Sequence, residues 1–371
     1  MKILFFHRWT GVHGGGTETH LLELAGRFSR MGHEVTILTR EGKMLRDPGE
    51  KIEVIRVSRN FRESDHSYED FRVYIHTALF MVKSLCRLII LHLRGRRFDV
   101  ISVHFTTEGL VAMLFRFFSG TPFIFVLEGY TPQEAAIAKY ADQRVAISKF
   151  EAGVYQEKHG VDSRVIYIGI DRQRFARDRQ ARERMRSRFV LPDQLLVLTV
   201  CRLEPRKDLF TLIEAARLLR EKVRNLRFVI AGDGILKEAL ALRIREDNLG
   251  DLIYQAGFVS DSELPAYYSA ADMFLLPSKE EWFGIVFLEA MAAGLPIIAA
   301  NVDACPEVVD GCGVFFEKGN APDLAQKIAL LAGDRELRQK FALKAAARAE
   351  EFSWERQIAL YQEAYQNVLR R

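Results

Sequence analysis

The sequence predicts an α/β protein of two successive domains, each a parallel sheet covered by helices on both faces. Three observations predict it. Short apolar runs alternate with amphipathic stretches from one end of the chain to the other, which is how strands buried on both faces read. The runs fall into two series, separated by the charged stretch Arg172–Arg188 where the apolar pattern lapses. A chain of 371 residues also exceeds what one hydrophobic core usually supports.

The first series is Lys2–Phe6, Val35–Leu38, Val54–Val57, Val100–Val103 and Phe123–Leu127. Between its first two strands, Leu21, Leu24, Ala25, Phe28 and Met31 share one helical stripe that Gly32 stops. The domain boundary is expected after Asp171, which gives domains over 1–171 and 172–352. The second series is Leu195–Val200, Phe228–Ala231, Met273–Leu276, Ile297–Ala299 and Val314–Phe316. Ser260-Asp-Ser-Glu263 has the form of a capping box that opens a helix. Trp354, Ile358, Tyr361, Tyr365 and Leu369 share a stripe, so 353–371 reads as a closing helix.

Composition excludes several classes of protein. Hydrophobic content of 49% and charged content of 27% describe an ordinary soluble globular chain. A formal charge of +4 is too small to argue for nucleic acid. Cys86, Cys201, Cys305 and Cys312 form no CxxC pair and read as buried reduced thiols. No D-x-D occurs and no His/Cys/Asp grouping has metal-ligand spacing along the chain. Met1–Phe6 runs straight into His7-Arg8, too short an apolar run for a signal peptide. The stretch Thr77–Leu93 is broken by Lys83 and Arg87 and falls short of the roughly 20 residues of a membrane span. A cytoplasmic location is therefore expected. Residues 71–97 mix apolar side chains with Arg72, Lys83, Arg87, Arg94, Arg96 and Arg97. Basic amphipathic helices of this kind lie on anionic membrane surfaces, and helices covering a parallel sheet read the same way.

The most informative segment is Glu281-Trp-Phe-Gly-Ile-Val-Phe-Leu-Glu289. If both glutamates were helical they would lie about 80° apart around the axis, so one face would not hold both. The segment reads instead as Glu281 in a loop, Gly284 at the turn and Glu289 on the helix that follows. A helix start offers free backbone N–H groups to anions, while carboxylates accept from sugar hydroxyls. A nucleotide sugar carries both kinds of group. The segment, with Pro277-Ser278 before it and Ala290–Pro296 after it, resembles the E-x7-E signature of family-4 retaining glycosyltransferases. That resemblance implies the GT-B fold, two Rossmann-like doubly wound domains facing a central cleft. It also implies that the closing helix packs back on the first domain, that Glu281 meets the donor sugar with the Phe283, Gly284 and Ile285 backbone, and that Glu289 holds the ribose.

Further segments fit the same family. Arg202-Leu-Glu-Pro-Arg-Lys207 follows a strand and is similar to its R-L-x-x-x-K segment, whose Arg and Lys clamp the departing diphosphate. Gly232-Asp-Gly234 ends another strand, where glycine lets backbone approach a ligand and where a plain turn also explains it. Val259, in Gly257-Phe-Val259, resembles the position whose backbone meets the base. The loop His13-Gly14-Gly15-Gly16-Thr17-Glu18 lacks the third glycine of a dinucleotide fingerprint, because Thr19 stands there. It resembles the family's G-G-x-E loop, which implies that Gly16 lies over the donor phosphates and Gly15 near the acceptor. His104 ends a strand and is expected to face the cleft or to be structural.

Two positions depart from the family. Glu128 in Val126-Leu-Glu128-Gly129 stands where a donor-contacting histidine is common, and Ile168 replaces a usual Asn. Glu128 is expected to point into the cleft and take over that histidine's task. The resemblance implies a retaining transferase that moves a sugar from a nucleotide diphosphate sugar to a hydroxyl of a glycan, lipid or small-molecule acceptor. It implies no metal and no other cofactor, and a place in cell-envelope or exopolysaccharide synthesis. The mechanism that the resemblance implies is attack from the front face, with the leaving phosphate taking the acceptor's proton. The alternatives are an epimerase-like enzyme acting on nucleotide sugars, which has no acceptor, and a non-catalytic nucleotide-binding protein, which would not need Lys207 and both glutamates.

Overall fold

The computed structural model describes residues 1–8, 15–40, 49, 51–57, 71–191 and 193–370, with the side chains of 71–73 excepted. His13 and Gly14 of the glycine loop, and the Arg72 side chain, lie outside the described part. The chain divides into two compact units, Met1–Ile168 with Gln357–Arg371, and Gly169–Arg356. The division thus falls slightly ahead of the expected boundary, and the first unit regains the chain only from Gln357, inside the closing helix Trp354–Leu369.

The first unit holds a seven-stranded sheet. Its strands are β1 (Lys2–Phe6), β2 (Glu34–Thr39), β3 (Ile52–Arg56), β4 (Val100–Val103), β5 (Phe123–Leu127), β6 (Gln143–Ala146) and β7 (Arg164–Val165). They lie in the order β3-β2-β1-β4-β5-β6-β7, every neighbouring pair parallel. The second unit holds β8 (Leu195–Val200), β9 (Leu226–Ala231), β10 (Ile253–Gly257), β11 (Met273–Leu276), β12 (Ile297–Ala300) and β13 (Gly313–Phe316). Their order is β10-β9-β8-β11-β12-β13, again all parallel. In each sheet the chain winds outward on one side of its first strand, then returns to the other side. The reversal lies between β1 and β4 in one unit and between β8 and β11 in the other. Open α/β sheets bind ligands beyond the carboxyl ends of their strands at such a point.

Burial on both faces explains the strand sequences. All five residues of Phe-Ile-Phe-Val-Leu in β5 are buried, and so are the last four of β1. β6, β7 and β10 escaped the sequence pattern for the opposite reason. β6 opens with half-buried Gln143 and Arg144, β7 has two residues, and β10 lies at an edge with Tyr254 exposed. Their pairing is decided by the strand alongside, not by their own composition.

Two local expectations are corrected. The helix after Ser260 starts at Leu264, and the Ser260 hydroxyl donates to the Glu263 carboxylate at 2.7 Å instead of capping the helix backbone. The N–H groups of Glu263 and Leu264 both turn back to the Ser260 carbonyl, so a tight turn takes the place of the capping box. Cys86 is exposed, on the outward face of the helix Phe71–Leu93, while Cys305 and Cys312 are buried and Cys201 half-buried. Within the first unit, the end of the closing helix is tied down through Tyr361, whose hydroxyl donates to the Ile166 carbonyl at 3.3 Å, and Tyr365, which reaches Ser102 Oγ at 2.7 Å.

Candidate active site

In the second unit, the two loops that leave β8 and β11 at the switch point are stitched together. The Lys279 N–H donates to the Arg206 carbonyl at 2.7 Å, and Lys279 Nζ lies 2.9 Å from Asp208 Oδ1. A short 3-10 turn over Pro205–Lys207 then aims Lys207 inward. Its Nζ meets Glu281 Oε2 at 2.5 Å, with the two side chains only 10% and 9% exposed. Ser278 Oγ donates to the same carboxylate oxygen at 3.2 Å, and the Glu281 N–H donates to Asp303 at 2.8 Å. Lys207 and Glu281 therefore form a buried ion pair. Removing either partner would strand the other's charge, which is costly.

The E-x7-E segment has the local structure expected from its sequence. Gly284 sits at φ 80° and Ile285 begins the helix Ile285–Ala292, which no Gly284 side chain can cap. A Cβ at Gly284 would collide with the Phe287 ring and force a backbone conformation that L residues avoid. Phe283 is buried against Phe352, ring centroids 5.9 Å apart. Glu289 lies inward on the helix and accepts from the Tyr268 hydroxyl at 2.7 Å. Burial first, and the Glu289 charge second, push the Tyr268 pKa well above the usual phenol value, so this hydroxyl remains a donor. Tyr268 was not legible from sequence, because in Tyr267-Tyr268 it reads as one more core aromatic.

Arg202 is placed differently from Lys207. Its side chain is 51% exposed and pairs with Glu204 at 3.0 Å, as Arg206 does from the other side. Gly232 and Gly234 serve this loop directly. A Cβ at Gly232 would overlap the Cys201 carbonyl, and one at Gly234 would press on Leu203. The Leu203 N–H donates to the Asp233 carbonyl at 2.9 Å, and the Gly232 N–H to that of Gly257 at 2.8 Å. The glycines thus let the β9 loop close on the β8 loop and fix it. Val259 is half-buried just beyond β10.

At the switch point of the first unit the expected cleft-facing groups are internal. Glu128 follows β5 and its side chain is 2% exposed; its Oε1 receives His20 Nδ1 at 2.5 Å and His104 Nδ1 at 3.0 Å. The expectation that Glu128 points into the cleft is corrected, and of the two readings of His104 the structural one holds, because a carboxylate this deep needs donors and the two imidazoles supply them. Burial raises the Glu128 pKa, but the charge of His20 and the hydrogen bond from His104 outweigh it and hold the pKa below the carboxylate range. His7, buried beside them with its ring 6.2 Å from that of His104, is lowered to about 4, mainly by burial. Among the described residues, His20, His104 and Glu128 also bring three ligand-type atoms within 4.8 Å of one another. Spacing along the chain gave no sign of this group. Gly15 precedes the helix Gly16–Arg30 in extended conformation, and Gly16 is its first residue.

Residues 14–174 match the family described as Glycosyltransferase Family 4, and residues 181–348 match Glycosyl transferases group 1. The chain belongs to this glycosyltransferase family. The GDP-mannose-dependent alpha-(1-6)-phosphatidylinositol monomannoside mannosyltransferase of Mycobacterium tuberculosis is 32% identical over 213 residues, 54% of this chain and 55% of that protein. The chain therefore spans about half the length of that curated relative. A D-inositol 3-phosphate glycosyltransferase of Paenarthrobacter aurescens is 27% identical and matches 96% of this chain and 93% of its own. Among solved structures, sucrose-phosphate synthase from Thermosynechococcus elongatus superposes with a TM-score of 0.84 at 20% identity, covering 99% of this chain and 98% of that one. The fold is GT-B.

Proposed function

We propose that the protein transfers a sugar from a nucleotide diphosphate sugar to a hydroxyl of a glycan, lipid or small-molecule acceptor, with retention and without a metal. The observation that carries this reading is the buried Lys207–Glu281 pair beside the start of the Ile285–Ala292 helix, at the switch point of the second sheet. The acceptor oxygen bonds to the anomeric carbon as the bond from that carbon to the diphosphate breaks. The diphosphate leaves with the electron pair and takes the acceptor's proton. Lys207 neutralises the departing charge, with Arg202 at the exposed mouth of the same loop. Glu281, released from Lys207 as the diphosphate takes its place, accepts from the donor sugar. Glu289, oriented by Tyr268, holds the ribose. The names of the mannosyltransferase and inositol-phosphate relatives support a polyol or lipid acceptor; a role in envelope glycan synthesis and a cytoplasmic location are part of the same proposal.

The test is a donor panel of UDP-, GDP- and ADP-sugars, scored for nucleotide release with EDTA present. Release from one donor, and a product whose anomeric configuration by NMR equals that of the donor, supports the reading. An inverted product, or turnover that needs added Mg²⁺ or Mn²⁺, overturns its retaining or its metal-free part. Conversion of the donor to another sugar nucleotide with no acceptor would favour the epimerase alternative.

A further inference from the structure

The helix Phe71–Leu93 is apolar on two opposite sides. One side carries Phe80, Ser84, Leu88 and Leu91 into the core of the first unit. The other carries Ile75, Leu79, Val82, Cys86, Ile90 and Leu93, spaced by three or four residues on a single outward stripe. Val82 is 59% exposed and Leu93 71%. A helix that is only a sheet cover would turn polar on that side. The neighbouring helix Thr106–Ser119 extends the surface with Leu114, Phe117 and Phe118, Phe117 being 70% exposed. The two helices pack together, and the Phe118 ring lies 5.6 Å from that of His92. Over Tyr74–Leu93 the mean hydropathy is 1.5, yet the core-facing side chains tie this helix into the sheet.

The charges carried by this helix have one sign, and Glu53, paired with Arg96 and near Arg87, is a carboxylate beside them. Lys83, Arg87, Arg94 and Arg97 are exposed along the flank of the patch, and no carboxylate occurs between Asp70 and Asp99. Two copies docked through the same face would bring these cations together, since a two-fold interface meets its own surface. An anionic bilayer offers both an apolar layer and the opposite charge. We propose that this face of the first unit lies on the surface of an anionic membrane, with Phe117, Phe118, Val82 and Leu93 seated at the headgroup boundary and the cations against lipid phosphates. The protein docks there without spanning the bilayer.

The test is co-sedimentation of the full chain with vesicles of phosphatidylcholine alone or mixed with phosphatidylglycerol. Binding is expected to the mixed vesicles only, and to be released by a carbonate wash. Lys83→Glu with Arg87→Glu should weaken it at least about 25-fold, from roughly fivefold per lost cation. Leu93→Ser with Phe117→Ser should abolish it. Thermal melts identify which variants fold, and either pair alone is decisive because both alter only exposed side chains. Equal binding to neutral vesicles, no binding, or wild-type binding by a folded variant overturns the proposal. So does resistance to carbonate, which means a spanning segment, or a dimer by light scattering that Phe117→Ser dissolves.

Discussion

Each unit places a buried glutamate just beyond the carboxyl end of a strand, Glu281 after β11 at the reversal of its sheet and Glu128 after β5, one strand further out, and the two are surrounded differently. Glu281 in the second unit meets the ammonium of Lys207, at the meeting of two loops with exposed Arg202 close by in sequence. Glu128 in the first unit meets two histidines, all three side chains at 2% exposure or less. The winding puts Glu281 at the switch point itself, while Glu128 reaches the equivalent point of its own sheet only through His104, which follows β4. Side-chain chemistry decides the rest. A lysine can exchange its carboxylate for a phosphate, whereas imidazoles sealed beneath the surface hold an internal anion in place. On the proposed reading, charge stabilisation falls to the second unit, and the buried cluster of the first holds the ends of β4 and β5 together.

The sharpest way to break that contrast is to remove each charge. Lys207→Ala should lower turnover about 10²–10³-fold, the usual loss for one preorganised charge-stabilising group. Steady-state rates within threefold of wild type, for a variant whose circular dichroism is unchanged, would end the assignment. Arg202→Ala, at an exposed position, should cost less than Lys207→Ala.

Glu128→Gln should act mainly on stability. It leaves two buried imidazoles without their anion, a loss of about 3 kcal/mol if the pair behaves as a broken buried ion pair. Chemical denaturation measures this. Turnover should fall far less than for Lys207→Ala, and an equal fall would restore the donor-facing role. The pH dependence has a definite sign. With its pKa depressed in the folded state, Glu128 adds stability above its unfolded pKa, and that stability is lost on acidification.

A second carboxylate of the first unit behaves oppositely. Burial raises the pKa of Glu134 to about 7 although it accepts from the Tyr155 hydroxyl and the Thr131 N–H. The folded state then binds the proton more tightly than the unfolded chain, so stability falls as pH rises from about 4.5 to about 7. Glu134→Gln should remove that decline, so its melting temperature should gain on wild type at pH 8 and not at pH 4. An unchanged difference between the two pH values would refute it.

The smallest expected effect is at Tyr268. Removing its hydroxyl in Tyr268→Phe deprives Glu289 of one donor, and the KM for the donor should rise roughly tenfold with kcat little altered. A change confined to kcat would place Glu289 at the reacting sugar instead of the ribose.

The sequence alone determined the two parallel-sheet units, ten of their strands, and the loop, turn and helix of Glu281–Glu289. These features are local: burial on both faces makes continuous apolar runs, and Gly284 breaks the chain where Phe287 leaves no room for a Cβ. Only the tertiary structure decided which charges meet. Lys207 finds Glu281 across 74 residues, and Glu128 finds His20 across 108 and His104 across 24. No period or motif encodes those distances, because strand order brings the loops together and the low dielectric between them then selects the partner. The three strands missed were likewise those whose place is set by the neighbouring strand, and Cys86 is exposed because it stands on the outward stripe of a helix that is apolar on both sides.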